Sequence, residues 1–296
     1  MFQKNFARTL IAASLTLGVI ASAGAAGQPL KLAVYNPGDK GIFAVSSELI
    51  TGQKEAVLVD AQFAKADAEQ LVKMIKDSGK TLTTVYISHS DPDFYFGLDV
   101  IKAAFPKARI VATPQTVAAI KASMEGKLQY WGPILKDNAP KSLVLPDVLK
   151  GNTIKLEGKT LEIVGLNGPS PDRTFVWAPS LKAAFGGVVV FGQEHVWVAD
   201  TQTPQSRQNW FKVLDKIEAL KPTTVVPGHF AAGAPQTVES VQFTRDYLQA
   251  FEQEAAKAKD SAELIAAIKA RYPTLSGAAS LEISAKVIKG EMKWPQ

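Results

Sequence analysis

The chain has 296 residues, with Lys+Arg 33 against Asp+Glu 28 for a formal net charge of +5, no cysteine, and three histidines, His89, His195 and His229. Without cysteine there is no disulfide scaffold, zinc finger, iron–sulfur cluster or cysteine nucleophile, and three histidines cannot build a four-histidine metal site. At 46% hydrophobic and 21% charged, the composition is that of a folded chain, of a size for one large domain or two small ones.

The first stretch reads as an export signal. Lys4 and Arg8 precede an uncharged run from Thr9 to Ile20, which ends in the small residues Ala21-Ser22-Ala23-Gly24-Ala25-Ala26. These are the basic, apolar and cleavage regions of a secretory signal peptide. The expectation is therefore a signal over residues 1–26, cut after Ala23, Ala25 or Ala26, and a periplasmic or secreted mature protein. The apolar run falls short of the ~20 residues a membrane span needs, so no stable membrane anchor is expected after cleavage. A cysteine-free chain also suits an oxidising compartment. The remaining basic residues are scattered among acidic ones without a basic run, which gives no support to a nucleic-acid partner.

The elements then alternate. Phe43 to Ile50 and Ala56 to Asp60 read as a strand pair turning at Thr51-Gly52-Gln53-Lys54. Ala66 to Ser78 reads as a helix, with Ala68, Leu71, Val72 and Ile75 on one face and Gly79 as its stop. Leu82 to Ser88 is a buried strand, Leu98 to Ala104 a helix, Arg109 to Ala112 a strand, and Pro114 opens a further helix. The second half is strand-rich: Thr153 to Leu156, Leu161 to Leu166, Thr174 to Ala178, Gly187 to Phe191 and His195 to Ala199. Ser206 is expected to cap a helix whose Trp210, Val213, Leu214 and Ile217 face inward, and Thr223 to Val226 is a last short strand. Two halves of this make-up suggest an α/β protein, an αβ/βα sandwich of two sheets packed face to face. We divide the chain into the signal, a domain over residues 27–234, and a C-terminal helical extension over 235–296. In the extension Asp260 and Glu263 are spaced as a capping box, and its helices read as a packing element or a subunit-contact surface.

The densest polar cluster is Ser88-His89-Ser90-Asp91-Pro92-Asp93-Phe94-Tyr95-Phe96-Gly97, just after a buried strand, where α/β folds place binding loops. An imidazole and two carboxylates at i, i+2 and i+4 form a plausible metal site; the plainer reading is a loop whose aspartates cap turns. Farther along, alternation puts His195, Trp197 and Ala199 on one face, and Asp200 opens a polar loop. His195, Asp200 and Asp172 are candidates for an additional ligand or a substrate contact, against a plain structural role. Phe94, Tyr95, Phe96, Tyr130, Trp131, Trp177 and Trp197 either line an apolar cleft or belong to the core.

The order of these landmarks resembles the metallo-β-lactamase-fold hydrolases. Their hallmark is His-x-His-x-Asp-His with a glycine three residues later; here the same place reads His89-Ser-Asp91-Pro-Asp93-Phe94-Tyr-Phe-Gly97. Ile50 to Asp60 is similar to the family's strand pair ending in Leu-Ile-Asp, and Val225-Val-Pro-Gly-His229 to its final Pro-Gly-His. The resemblance implies a four-layer αβ/βα sandwich and a metal-dependent hydrolase, with His89, Asp91, Asp93 and His229 holding the metal, Asp93 catalytic, and Asp60 supporting the loop from beneath. It also implies losses. Asp91 and Phe94 stand where the family has histidines, Gly168 to Asp172 lacks the histidine of a Gly-His-Thr turn, and Gly187-Val188 replaces the bridging aspartate. Two imidazoles and two carboxylates suffice for one divalent ion, zinc by the resemblance or a harder ion such as manganese or magnesium, whose bound hydroxide would attack an ester, lactone, amide or phosphoester. The alternative is that no metal binds and the fold serves as a non-catalytic binding protein. The expected partner is a small-molecule substrate.

Overall fold

The computed structural model describes Met1 and residues 28–294; apart from Met1, the expected signal peptide lies outside the described residues. Two sheets carry the fold. The first joins β1 (Lys31–Tyr35), β2 (Ser47–Thr51), β3 (Glu55–Val59), β4 (Thr81–Ile87), β5 (Arg109–Ala112) and β6 (Asp147–Val148) in that spatial order. Its first three strands form an antiparallel meander; β3 to β6 are parallel, crossing over through α1 (Lys65–Asp77), the short α2 (Pro92–Tyr95), α3 (Leu98–Ala104) and α4 (Pro114–Leu135). The second sheet runs β12-β10-β9-β8-β7, from β7 (Thr153–Leu156), β8 (Lys159–Val164), β9 (Phe175–Ala178), β10 (Ala183–Phe185) and β12 (Thr224–Val225). A separate parallel pair joins β11 (Phe191–Gly192) to β13 (His229–Phe230). The helices α5 (Pro204–Ala219), α6 (Val238–Lys257), α7 (Ser261–Arg271) and α8 (Ala278–Ile288) complete the chain.

Strand alternation explains the layering. On β3, Ala56 and Leu58 pack with Leu71, Ile75 and Ile101 of the first helical layer, while Val57 and Val59 turn the other way. There they meet Leu161, Ile163, Val176 and Phe185 of the second sheet. On β9 the roles reverse: Val176 faces the first sheet, and Phe175 and Trp177 face Trp210 and Leu214 of α5. Each sheet is thus apolar on both faces, and the product is helix, sheet, sheet, helix: the expected αβ/βα sandwich. Val241, Tyr247, Phe251, Leu264, Ile268 and Leu281 of the C-terminal helices share that outer core with Phe191 and Trp210. Among the described residues no helix is long and apolar enough to cross a membrane.

Local differences have local causes. The first strand, β1, escapes sequence inspection because it is a half-exposed edge without a clean apolar pattern. Gly187 to Phe191 is not a strand: Gly186 and Gly187 at φ +76° and +75° end β10 and release an irregular buried segment that reaches β11. His195 to Ala199 is irregular as well, tied to the C-terminal extension by the His195 N–H on the Ser276 carbonyl. The cap of α5 is Thr203, not Ser206; Ser206 sits three residues on and answers it in a reciprocal capping box. At α7 only half of the expected box forms. Asp260 accepts the Glu263 N–H, but the Glu263 side chain returns to Lys259 N.

Candidate functional site

The site is assembled where β4 ends. Beyond Ile87 the chain turns through Ser88 and His89, Asp91 occupies the N-cap position of α2, and Pro92 opens the helix with a φ already suited to it. Asp93 and Phe94 are thereby carried inward in the first turn. The return of the chain at Gly97 is tight: a Cβ there would lie 2.1 Å from the Ala61 carbonyl oxygen. Only glycine allows the approach, and its N–H bonds the Gln62 carbonyl. On the other side His229 lies in β13 and pairs with Val45.

His89, Asp93 and His229 are 7%, 5% and 9% exposed. They form two couples. The Nε2 of His229 donates to Asp93 Oδ2 at 2.7 Å. His89 Nδ1 accepts the Asp91 N–H at 3.2 Å and lies 3.3 Å from Asp91 Oδ2. Between the couples stands the Phe94 ring, fully buried, its centroid 5.5 Å from each imidazole and edge-on to both. Phe191 stacks on the far face of His229 at 5.4 Å, and His229 Nδ1 is buried without a hydrogen-bond partner.

Asp60 supports the loop from below. It adopts φ +63°, accepts Ser88 N–H at 2.8 Å through one oxygen and the Ser88 hydroxyl at 2.5 Å through the other, while Ser88 Oγ accepts Gly187 N–H at 2.7 Å. One carboxylate thus ties β3, the His89 loop and the segment after β10 together. Burial pushes its pKa up to about 7, against the lowering pull of the Ser88 bonds and His89.

Three charged residues that sequence inspection passed over complete the site. Lys127 of α4 donates to Asp91 Oδ1 at 3.2 Å and to the Ser90 carbonyl at 2.8 Å. Arg173 is 1% exposed, stacked 3.8 Å over the Trp210 ring, and donates to the Val188 carbonyl at 2.6 Å; its charge is felt by Asp200. Glu194 is buried and interacts electrostatically with His229 and Asp93; burial raises its pKa to about 7. Glu194 could have been found: alternation places it opposite His195, on the side of Val196 and Val198. Lys127 carries no local signal, because the approach of α4 to the His89 loop is a tertiary event.

The electrostatics follow this arrangement. Burial opposes the charge on Asp91, but His89 and then Lys127 hold its carboxyl well below the usual range. Burial also opposes a charge on His229, yet its bond to Asp93 and the fields of Asp93, Glu194 and Asp91 raise its pKa overall. Asp200 keeps a solvent-exposed surface but is crowded by protein on its other sides; it accepts the Trp197 indole N–H at 2.6 Å, and the loss of surrounding water first and Asp91 second raise its pKa. Asp172 is exposed and adds to the negative field around Arg173. His195 is turned elsewhere. It is 2% exposed, 2.9 Å from the Tyr247 hydroxyl of α6, and its charged neighbour is Lys269, which makes it a buried histidine packed against the C-terminal extension and not a partner of His89. Of the aromatics, Phe94, Tyr95, Phe96 and Trp177 are core, Tyr130 is exposed, and Trp131 packs edge-on against Phe43 and Phe63.

Residues 41–229 match the sequence profile of the metallo-beta-lactamase superfamily, well over half of the chain. The chain belongs to that superfamily. Solved structures agree on the fold. A metallo-beta-lactamase from Pontibacter korlensis is similar at a TM-score of 0.54 and 19% identity, covering 75% of this chain and 95% of its own. The DIM-1 metallo-beta-lactamase gives 0.52 and 20%, over 75% and 98%. A metallo-beta-lactamase family protein from Thermus thermophilus gives 0.62 and 15%, over 87% and 91%. At these identities the likeness is one of fold. Superfamily membership supports a metallo-hydrolase type of function, and members generally bind divalent metals.

Does this site fit such a metal? The donor types do: two imidazoles and two carboxylates are within the usual repertoire. Their arrangement does not. Among the described residues no group of three or more His, Asp or Glu side chains is placed to hold a metal ion. His229 Nε2 is spent on Asp93, Asp91 faces Lys127, and the Phe94 ring stands between the couples where a superfamily site keeps a histidine.

Proposed function

We propose that the protein is an exported hydrolase of the superfamily's general type, acting on a carbonyl or phosphoryl bond of a small molecule such as an ester, lactone, amide or phosphoester. The observation that carries this reading is the meeting of His89, Asp91 and Asp93, from one short loop, with His229, which comes from far along the sequence, the two imidazoles flanking one phenylalanine ring. Because the side chains as placed do not fit a metal, we derive the chemistry from the protein's own groups. Asp93 is the residue to orient an attacking water and accept its proton. His229, whose charged form Asp93 and Glu194 favour, is the residue to supply positive charge beside the oxygen on which negative charge develops, and a proton for the leaving group. The apolar shell of Phe94 and Phe191 strengthens both effects by excluding water. Export rests on residues 1–26 alone. The test is a panel of ester, lactone, amide and phosphoester substrates, with elemental analysis of the purified protein alongside. We expect turnover that His229→Ala and Asp93→Asn both abolish, and less than one equivalent of zinc, manganese or magnesium.

A second reading, a non-catalytic binding protein on the same fold, is favoured by one observation: Asp91, Asp93, His89 and His229 each already have a partner within the protein. Absence of turnover over the whole panel by well-folded protein would favour it.

A further inference from the structure

Asp91 stands where the superfamily motif has its second histidine, and each of its oxygens has a nitrogen beside it. Oδ1 receives Lys127 Nζ at 3.2 Å, and Oδ2 lies 3.3 Å from His89 Nδ1. Lys127 also holds the Ser90 carbonyl at 2.8 Å, so its ammonium clamps the loop at two neighbouring points. The side chains of Lys127 and Asp91 are 22% and 26% exposed, sheltered enough that water screens the pair only partly. A second fixed cation, Arg173, lies within the field of the same carboxylate, held over Trp210 and against the Val188 carbonyl.

We propose that Lys127 is a resident cation that replaces the metal as the counter-charge of Asp91, and that it is one of the residues that keep divalent ions from this site. The physical reason is twofold. A divalent ion bound by Asp91 must first break the Lys127 pair, and it must then sit beside an ammonium that repels it. Lys127 is thus a positioning residue, acting through Asp91. The inference rests on the site identified above, but it concerns metal binding and not turnover, so a failed substrate panel leaves its test intact.

The experiment is calorimetric titration of chelator-treated full-length protein with Zn²⁺ alone and with Mn²⁺ alone. Lys127→Met removes the charge and keeps the aliphatic stem. Lys127→Gln removes the charge and keeps a donor for the Ser90 carbonyl, and decides the matter should the methionine variant fold poorly. We expect each variant to bind at least one of the ions about tenfold or more tightly than the wild type. Adding Asp91→Asn to either variant should return the affinity to the wild-type level. Unchanged or weaker binding in both Lys127 variants, or a gain that survives Asp91→Asn, would overturn the proposal. So would a wild type that already binds one equivalent as tightly as the variants.

Discussion

Asp60 offers a quantitative test of how the site is built. It is 1% exposed, and its pKa stands at about 7 against an ordinary 3.8. Each pH unit of that rise is worth ~1.4 kcal/mol, so the full rise amounts to about 4 kcal/mol. The sign is fixed by which state holds the proton more tightly. Between pH 3.8 and about 7 the folded protein keeps a proton on Asp60 that the unfolded chain has lost. The contribution is therefore intact below pH 3.8, falls as pH rises, and is gone above about 7. Asp60→Asn removes the titration. The amide presents one acceptor, for Ser88 N–H, and one donor facing Ser88 Oγ, as the protonated carboxyl does, so little is lost in acid. The variant should be about as stable as wild type in acid and more stable by roughly 4 kcal/mol at pH 8. Urea denaturation of both proteins across this range, read as the difference in unfolding free energy at each pH, checks it. A difference that stays flat, or that grows in the opposite direction, would refute the buried-carboxylate argument.

Two further outcomes follow from contacts around the site. Gly97→Ala places a Cβ 2.1 Å from the Ala61 carbonyl oxygen and 2.6 Å from the Ala68 methyl, and should destabilise by about 3 kcal/mol, seen as a lowered Tm, because backbone and helix α1 must both yield. Tyr247→Phe leaves His195 Nδ1 buried without its 2.9 Å partner and should cost about 1–2 kcal/mol in stability. It should leave hydrolytic turnover untouched, since that pair lies where the C-terminal extension packs on the domain; a fall in turnover at unchanged stability would return His195 to the site.

How much of this was legible in the sequence differs between layers of the structure. Strands β3, β4 and β9 were, because a sheet buried on both faces needs apolar residues at nearly every position, and Ala56 to Val59 or Val85 to Ile87 announce that. The strand β10 was not. Ala183-Ala184-Phe185 has little β character of its own and is a strand because it pairs with β9 on one side and β12 on the other. The His89 loop was legible as a cluster, and the order of landmarks from Asp60 to His229 placed it in its family. What the sequence could not convey is which way each side chain turns. His89, Asp91, Asp93 and His229 read equally well as four ligands or as two couples, and the difference lies in Lys127, more than thirty residues downstream on a helix with no motif of its own.

The couples also bear on why the fold tolerates the loss of superfamily ligands. A buried carboxylate without a metal is costly unless another charge or donor compensates it. Here each of the two motif carboxylates has such a partner, Asp91 in Lys127 and Asp93 in His229. Where a further imidazole would have needed its own compensation, Phe94 fills the volume with an apolar ring that packs edge-on against both remaining imidazoles. Phe94 offers no donor atom to an ion, and Asp91 is already paired with Lys127. Together these residues form a cluster of paired charges around an apolar ring, on a backbone path held by the close approach at Gly97 and by the two Ser88 bonds of Asp60.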